Sequence, residues 1–501
     1  CTRAMQEHRH CPFHMARDKI AELDVLIVNH SLLLADLELG GGKILSPPDE
    51  SIYIIDEGHQ LPQVTRDFAA AQATTKGAKE WLDKLPKLAN KLNKTLIGSK
   101  AIGVSLTIHD TCGETGKSLN DAYIWLQQNH QTLFIKGDCL RFENGELPDT
   151  LIHFAEDLAP TTGKLLGLLQ KLQELLKEEA AEGDISPSIA EPLFAELGFF
   201  INRMENLHKL WKQWSHIKSK KAPPNARWIE VVKTKQGVDY LLATSPIEVG
   251  FFLADKLWGE CAGAVVCSAT LTALNKFDFF RHQVGLENND GTQYIQVDSP
   301  FDYQQNAELH MPAMRSEPTA PDFSDNLIEQ LPGLLEGVDA SLVLFSSYWQ
   351  MEAVATAIEE QHDLKLLVQG KHSRQSIIEQ HKKAIDAGEP SIIFGTQSFS
   401  EGLDLPGKYL TNVIITKIPF AVPTSPVEEA HAEYIKARGG NPFMELSVPQ
   451  ASKKLVQACG RLLRNENDVG RVVILDRRLI SKRYGKMMLD ALPPFKRKID
   501  Y

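Results

Sequence analysis

Short apolar runs mark the two ends of the chain, and a long helical texture fills the stretch between them. Residues 24–30, 52–55 and 264–267 are apolar runs that end in polar residues, as buried parallel strands do. From 79 to about 225 Lys, Leu, Glu and Gln dominate. Leu165, Leu166, Leu168, Leu169, Leu172, Leu175 and Leu176 recur there at helical spacing. After 276 apolar runs return at 342–345, 364–368, 392–394, 413–415 and 472–475, separated by charged, helix-compatible stretches. Strands alternating with helices predict parallel sheets covered on both faces. The pattern is that of two α/β units, the first interrupted by a mostly helical insertion. There is no repeat of fixed period and no long low-complexity segment.

Composition narrows the picture. A chain of 501 residues, 43% hydrophobic and 24% charged, is a globular protein of several domains and neither disordered nor fibrous. No apolar run approaches a membrane span, so no membrane partner is expected. The net charge of −11 excludes a surface coated in positive charge but leaves room for a local basic groove. Seven scattered cysteines do not form a disulfide framework, which favours a reducing, cytoplasmic setting. The first residue is Cys1, no signal peptide precedes the first structured segment, and the terminus reads as cut.

Four motifs carry chemistry. Asp56-Glu57-Gly58-His59 follows the run 52–55, at what would be the carboxyl edge of a parallel sheet, where ligands bind. There an Asp can hold Mg²⁺ through water, and a Glu can act on water attacking a γ-phosphate. The plainer reading is an N-capping Asp beside a solvated Glu. In Gln457-Ala458-Cys459-Gly460-Arg461-Leu462-Leu463-Arg464 the two arginines are three apart, so on a helix they would share a face and reach one anion. Two solvated surface arginines are the alternative. Ser398-Phe399-Ser400-Glu401-Gly402-Leu403-Asp404 after the run 392–394 suits close approach to a nucleotide or to DNA, or is a plain loop. Ser268-Ala269-Thr270 after a strand is too short to carry weight unaided.

Order makes the set specific. With Phe345-Ser346-Ser347, these strand-borne motifs resemble helicase motifs II to VI of superfamily 2, and the long stretch between His59 and Ser268 marks a large insertion. That insertion, with cysteines upstream of the DEAH-like box, is similar to the XPD/DinG group of iron–sulfur helicases. Asp298-Ser299-Pro300-Phe301, Leu367-Val368-Gln369-Gly370, the stretch 397–405, Tyr484-Gly485-Lys486 and Leu489-Asp490-Ala491-Leu492-Pro493 resemble its bacterial DinG family. The likeness spans 1–78 and 226–496 and is weak within 79–225.

The resemblance implies an α/β fold of two RecA-like parallel-sheet helicase domains with a mostly helical Arch insertion and a partial Fe–S domain. Residues 1–18 would be the Fe–S remnant, 19–78 with 226–275 helicase domain 1, 79–225 the Arch insertion, and 276–501 helicase domain 2. It implies ATP, Mg²⁺ and a [4Fe–4S] cluster as cofactors, with ATP between the two helicase domains. Asp56 would hold Mg²⁺, Glu57 would act on water, and Arg461 and Arg464 would meet the γ-phosphate. His59, Gln457, Gly460, Glu401, Gly402, Asp404, Ser268 and Thr270 would bind or couple the nucleotide. Cys11 and Cys1 match cluster-ligand positions, too few for a whole cluster, with His8 and His10 as bystanders. The implied activity is 5′→3′ ATP-dependent unwinding on single-stranded, forked or R-loop DNA in repair or replication, by a monomer in the bacterial cytoplasm, at the nucleoid.

The chain departs from the family in lacking a Walker A loop. Thr111-Cys112-Gly113-Glu114-Thr115-Gly116-Lys117-Ser118 has Thr where the first Gly belongs and lies inside the insertion, so it reads as a decoy. Gly40-Gly41-Gly42-Lys43 lacks the spacing and reads as a flexible turn. On this reading the chain is the C-terminal part of such a helicase and is inactive by itself. A DNA-stimulated remodelling ATPase and a non-catalytic Fe–S nucleic-acid scaffold are the alternatives. For DNA contact, Lys218, Lys220, Lys221 and Arg227 stand in an acid-free basic block interleaved with Trp211, Trp214 and Trp228. A helix burying its tryptophans is the plainer account of that block, and Lys496, Arg497 and Lys498 read as a solvated tail.

Overall fold

A computed structural model describes residues 11–96, 99–215, 223–235, 237–362, 364–400, 403–421 and 425–500. The chain divides into two compact units. One comprises Cys1–Cys267, Gln283–Gly285 and Pro423–Gly439; the other comprises Ser268–His282, Leu286–Val422 and Gly440–Tyr501.

Among the described residues the first unit holds six strands: β1 (Ile52–Ile55), β2 (Ala71–Thr74), β3 (Cys139–Arg141), β4 (Asn225–Thr234), β5 (Gly237–Pro246) and β6 (Gly263–Val266). β1 and β6 pair in parallel with Ile52 opposite Gly263. The other four form an antiparallel sheet in the order β2-β5-β4-β3. Three long helices, Ser99–Gln128, Asp149–Glu182 and Pro187–Ser215, are the largest of its other described elements. On Asp149–Glu182 the buried positions Leu151, Ala155, Leu158, Thr162, Leu165, Leu169, Leu172, Leu176 and Ala180 fall every three or four residues, so one stripe faces the core. Gly183 in the left-handed region ends that helix. Ile229, Tyr240 and Leu242 of β4 and β5 share this core. The helical block 79–225 is therefore packed as one body with strands that lie just beyond it in sequence.

Two expected features differ here. The run 24–30 is not a strand: Val25 and Ile27 are 77% and 93% exposed, and its end starts the helix His30–Glu38. The Asn29 side chain accepts from Leu32 N at 2.9 Å and so commits the backbone to a helix start rather than a ladder. The turn at Gly40, Gly41 and Gly42 is held, not loose. All three have positive φ, and the buried Asp36 carboxylate accepts from the backbone N–H groups of Gly42, Lys43, Ile44 and Leu45.

The second unit is a seven-stranded parallel sheet in the order β13-β7-β12-β11-β8-β10-β9. Its strands are β7 (Ala307–Met311), β8 (Ala340–Phe345), β9 (Leu366–Val368), β10 (Ser391–Thr396), β11 (Asn412–Ile415), β12 (Gly470–Ile474) and β13 (Lys496–Ile499). Alternate residues enter opposite cores. Leu342, Leu344, Val413, Ile415, Val472 and Ile474 pack on one face, and Val343, Phe345, Ile414 and Val473 on the other. Burial on both faces is why the central strands read as unbroken apolar runs. β13 corrects the reading of 496–498 as a solvated tail. Its backbone pairs with β7 while Lys496, Arg497 and Lys498 stay exposed, as suits an edge strand. Among the described residues, no helix is long and apolar enough to cross a membrane.

Candidate functional site

The site in the first unit is built by β1 and β6. β1 delivers Asp56-Glu57-Gly58-His59 at its carboxyl end, and the parallel register sets Cys267 beside it. Cys267 N donates to Ile55 O, and Gly58 N donates to Cys267 O, both at 2.9 Å, so the chain is pinned to the end of β6 on either side of Asp56. A Cβ on Gly58 would lie 2.2 Å from Val266 Cγ1, so this approach requires glycine. Glu57 takes the left-handed conformation at φ 49°, ψ 39°, which costs a non-glycine residue about 1–2 kcal/mol. Strain held by such over-determined packing is a mark of functional positions.

The turn leaves both carboxylates exposed to solvent. Asp56 Oδ1 accepts from Glu57 N at 2.9 Å, and Asp56 caps no helix. Glu57 Oε2 lies 3.1 Å from His59 Nδ1. Two residues outside the motif complete the setting. His30 Nε2 donates to the Asp56 carbonyl at 3.0 Å, and Cys267 Sγ lies 3.6 Å from Asp56 Oδ1. Burial, followed by the Asp56 charge, pushes the Cys267 thiol up, which favours it as a donor to that carboxylate. Neither neighbour is legible in the sequence: His30 closes a run that reads as strand, and Cys267 is one of several scattered thiols.

In the second unit a different set converges. Gln457 Nε2 donates to Thr270 Oγ1 at 3.0 Å, and Thr270 N donates to Ser268 Oγ at 3.2 Å. Arg461 Nη1 and Arg464 Nη2 both donate to the Leu403 carbonyl, at 3.2 and 3.1 Å. The shared helix face expected for these arginines is not how they meet, because the helix Val448–Cys459 ends with Gly460 as its C-cap. Instead Asp468 Oδ2 accepts from Arg464 N and Asn465 N, folding the turn so that both guanidinium groups reach one acceptor. Asp404 is exposed between buried Leu403 and Leu405. Glu401 and Gly402 lie outside the described residues. One further charged group on this helix has no motif to mark it: Lys453, one turn before Gln457, is lowered to about 8 by burial.

The remaining candidates fare differently. Cys11 is a half-buried thiol preceding the helix Pro12–Lys19, while Cys1, His8 and His10 lie outside the described residues. Among the described residues, no group of three or more His, Cys, Asp or Glu could hold a metal ion. Cys11 is one described thiol at a cluster-ligand position, and one thiolate does not complete a four-thiolate cluster. The exposed Asp56 carboxylate does suit Mg²⁺, a hard cation that keeps several of its own waters. Thr111–Ser118 spans the interior of the helix Ser99–Gln128, with Thr111 and Thr115 fully buried, so its N–H groups serve the helix and not a phosphate.

The basic block is described only in part. Lys218, Lys220 and Lys221 lie outside the described residues. Arg227 is half-buried and engaged within the protein: its Nη1 and Nη2 donate to the carbonyls of Gly145 and Gln213 at 2.8 and 2.6 Å, and burial lowers its pKa. Trp211 and Trp214 are each 1% exposed and pack edge to face, so they belong to the core.

A DEAD_2 family model matches residues 2–77, and a helicase C-terminal domain model matches residues 334–495. The ATP-dependent DNA helicase DinG of Photobacterium profundum is 49% identical over 505 residues, which span 100% of this chain and 72% of that protein. The chain belongs to the DinG family. The DinG of Escherichia coli (strain K12), also an ATP-dependent DNA helicase, is 32% identical over 501 residues, covering 97% of this chain and 68% of that protein. The DinG-family fold is shared with more distant helicases. An XPD helicase structure aligns at TM-score 0.51 and 16% identity, covering 99% of this chain and 76% of that one. The Xpd4 structure of S. tokodaii aligns at TM-score 0.53 and 14% identity, over 94% and 80% respectively.

Proposed function

We propose that this chain is the motor portion of an ATP-dependent DNA helicase that couples ATP hydrolysis to movement along single-stranded DNA. The observation that carries the proposal is the Asp56–Glu57 turn: two adjacent exposed carboxylates held at a strand end by a strained backbone and a required glycine. Bound Mg²⁺ would neutralise charge developing on the phosphates. Asp56 would hold that ion, and Glu57, steadied by His59, would orient the attacking water and take its proton. Arg461 and Arg464 release the Leu403 carbonyl and turn to the γ-phosphate, a contribution worth a factor of about 10³–10⁵ for such arginines. Gln457 and Thr270, joined by a hydrogen bond, relay the nucleotide state.

The finer reading is 5′→3′ movement by a cytoplasmic, nucleoid-associated monomer on single-stranded, forked or R-loop DNA, in repair or replication. In domain terms, 1–18 belongs to a cluster domain, 19–78 with 226–275 is helicase domain 1, 79–225 is the Arch insertion and 276–501 is helicase domain 2. A [4Fe–4S] cluster would take Cys1 and Cys11 as two of its ligands and enters no step above; iron analysis of the full-length protein tests it. The decisive experiment is Glu57→Gln in the full-length protein. ATP binding is expected to persist while DNA-stimulated hydrolysis and strand separation fall to background. Undiminished turnover would remove Glu57 from the mechanism.

A further inference from the structure

Arg227 is held by backbone carbonyls and Trp211 and Trp214 lie in the core, but a second basic stretch is exposed further along the chain. Arg477, Arg478, Lys482, Arg483 and Lys486 fall within ten residues that include no Asp or Glu, in a chain of net charge −11. They follow the carboxyl end of β12, the edge of a parallel sheet at which ligands collect. Arg478 is committed to structure: Asp476, fully buried, takes its Nε and Nη2 at 2.9 and 2.7 Å and also accepts from Ile418 N at 2.8 Å. Lys482 leans toward Glu317 at 3.5 Å. Arg477, Lys482, Arg483 and Lys486 are all exposed.

Their placement is locally unfavourable. Arg483 and Lys486 stand three apart in the first turn of the helix Arg483–Asp490, where like charges repel and the positive end of the helix opposes cations. A surface that only needed solubility would intersperse both signs. Beside these cations lies an aromatic cluster. Tyr484 contacts Phe420 and Phe443 at centroid separations of 5.7 and 5.1 Å, and Phe443 is 40% exposed. Cations gathered at a local cost beside an accessible ring suit a flexible polyanion with stackable bases better than they suit a lipid surface.

We propose that Arg477, Lys482, Arg483 and Lys486, flanked by Phe443, form a track for the phosphate backbone of single-stranded DNA. The track rests on the helicase reading and deepens it by naming where the second unit grips its substrate. Lys482 exchanges Glu317 for a phosphate when the strand is bound, and the Phe443 ring offers a stacking face to one base.

The test is equilibrium binding of fluorescein-labelled oligo-dT to the full-length protein across a salt series, without nucleotide. Each phosphate contact contributes about 0.7 to the slope of log affinity against log salt. The pair Arg483→Gln with Lys486→Gln is expected to weaken binding and to lower that slope by about 1.4. The charge-conserving pair Arg483→Lys with Lys486→Arg should keep the slope. Arg477→Gln, on a separate segment, gives an independent reading of about half the effect. An unchanged slope in folded glutamine variants, whatever the affinity, overturns the track. So does loss of binding to phosphatidylserine vesicles with unaltered oligo-dT affinity, which would assign the patch to a membrane surface. A wild-type protein that binds oligo-dT through these residues but separates no strands fails the helicase reading alone. One that unwinds DNA while the variants keep their salt slope fails the track alone.

Discussion

Arg141 and Glu433 are 292 positions apart in the chain and meet at 2.7 Å. Arg141 Nε also donates to Glu429 at 3.0 Å, and Glu433 accepts from Asn144 N at 2.9 Å. These bonds seat the helix Pro426–Ala437 against β3 and β4, over an apolar contact of Ala430 with Ala226 and Ile247. The helix lies within the stretch matched by the helicase C-terminal family yet packs in the first unit. Arg141 is only 17% exposed and Glu433 24%, so its removal would take the guanidinium from a half-buried carboxylate as well as from the more exposed Glu429. Arg141→Ala is expected to destabilise the seat by about 1–3 kcal/mol. Amide hydrogen exchange across 426–437 checks it, and unchanged protection would mean that the apolar contact alone holds the helix.

The strained turn after β1 makes a second expectation quantitative. Gly58→Ala forces a Cβ onto Val266 and should cost about 1–3 kcal/mol by overpacking. Val266→Ala should be milder alone and should restore part of the loss in the double variant, because the two sites touch. Urea unfolding of the four proteins gives the coupling energy. Strict additivity would mean that the turn shifts without hindrance.

Lys453 sets a pH dependence. Its folded pKa of about 8 lies below the ordinary lysine value, so between these limits the unfolded chain binds more protons than the folded one. Its contribution to stability is therefore least below pH 8 and rises as pH climbs through the folded pKa toward the unfolded value. Lys453→Met is expected to raise the urea midpoint at pH 7 and to flatten this rise between pH 8 and 9. A variant less stable than wild type at pH 7 would show that the ammonium has a favourable partner.

The look-alike phosphate loop offers a negative control. Lys117 stands in mid-helix, so Lys117→Ala should leave ATP hydrolysis by the full-length protein within about twofold of wild type, as surface substitutions usually do. A loss of a hundredfold or more, the scale of a lost catalytic contact, would restore the motif as a nucleotide site.

What the sequence determined by itself is what depends on neighbours in the chain. Alternating burial made β8, β10, β11 and β12 visible as apolar runs, since each is covered on both faces. Leucines at helical spacing marked Asp149–Glu182, and the position of Asp56 and Glu57 after 52–55 placed them at a strand end. The tertiary structure alone decided which groups meet. Glu57 is left-handed because Gly58 fits against Val266 on a strand more than 200 positions away, a contact that no local propensity contains. Arg461 and Arg464 converge through Asp468 and the Leu403 carbonyl, not through helical spacing. Trp211 and Trp214 belong to the core and Arg477 to the surface because packing distinguishes them. The sequence read the stretch around Trp211 as basic and aromatic and passed over the one around Arg477, because burial is a property of the whole fold, not of the residue.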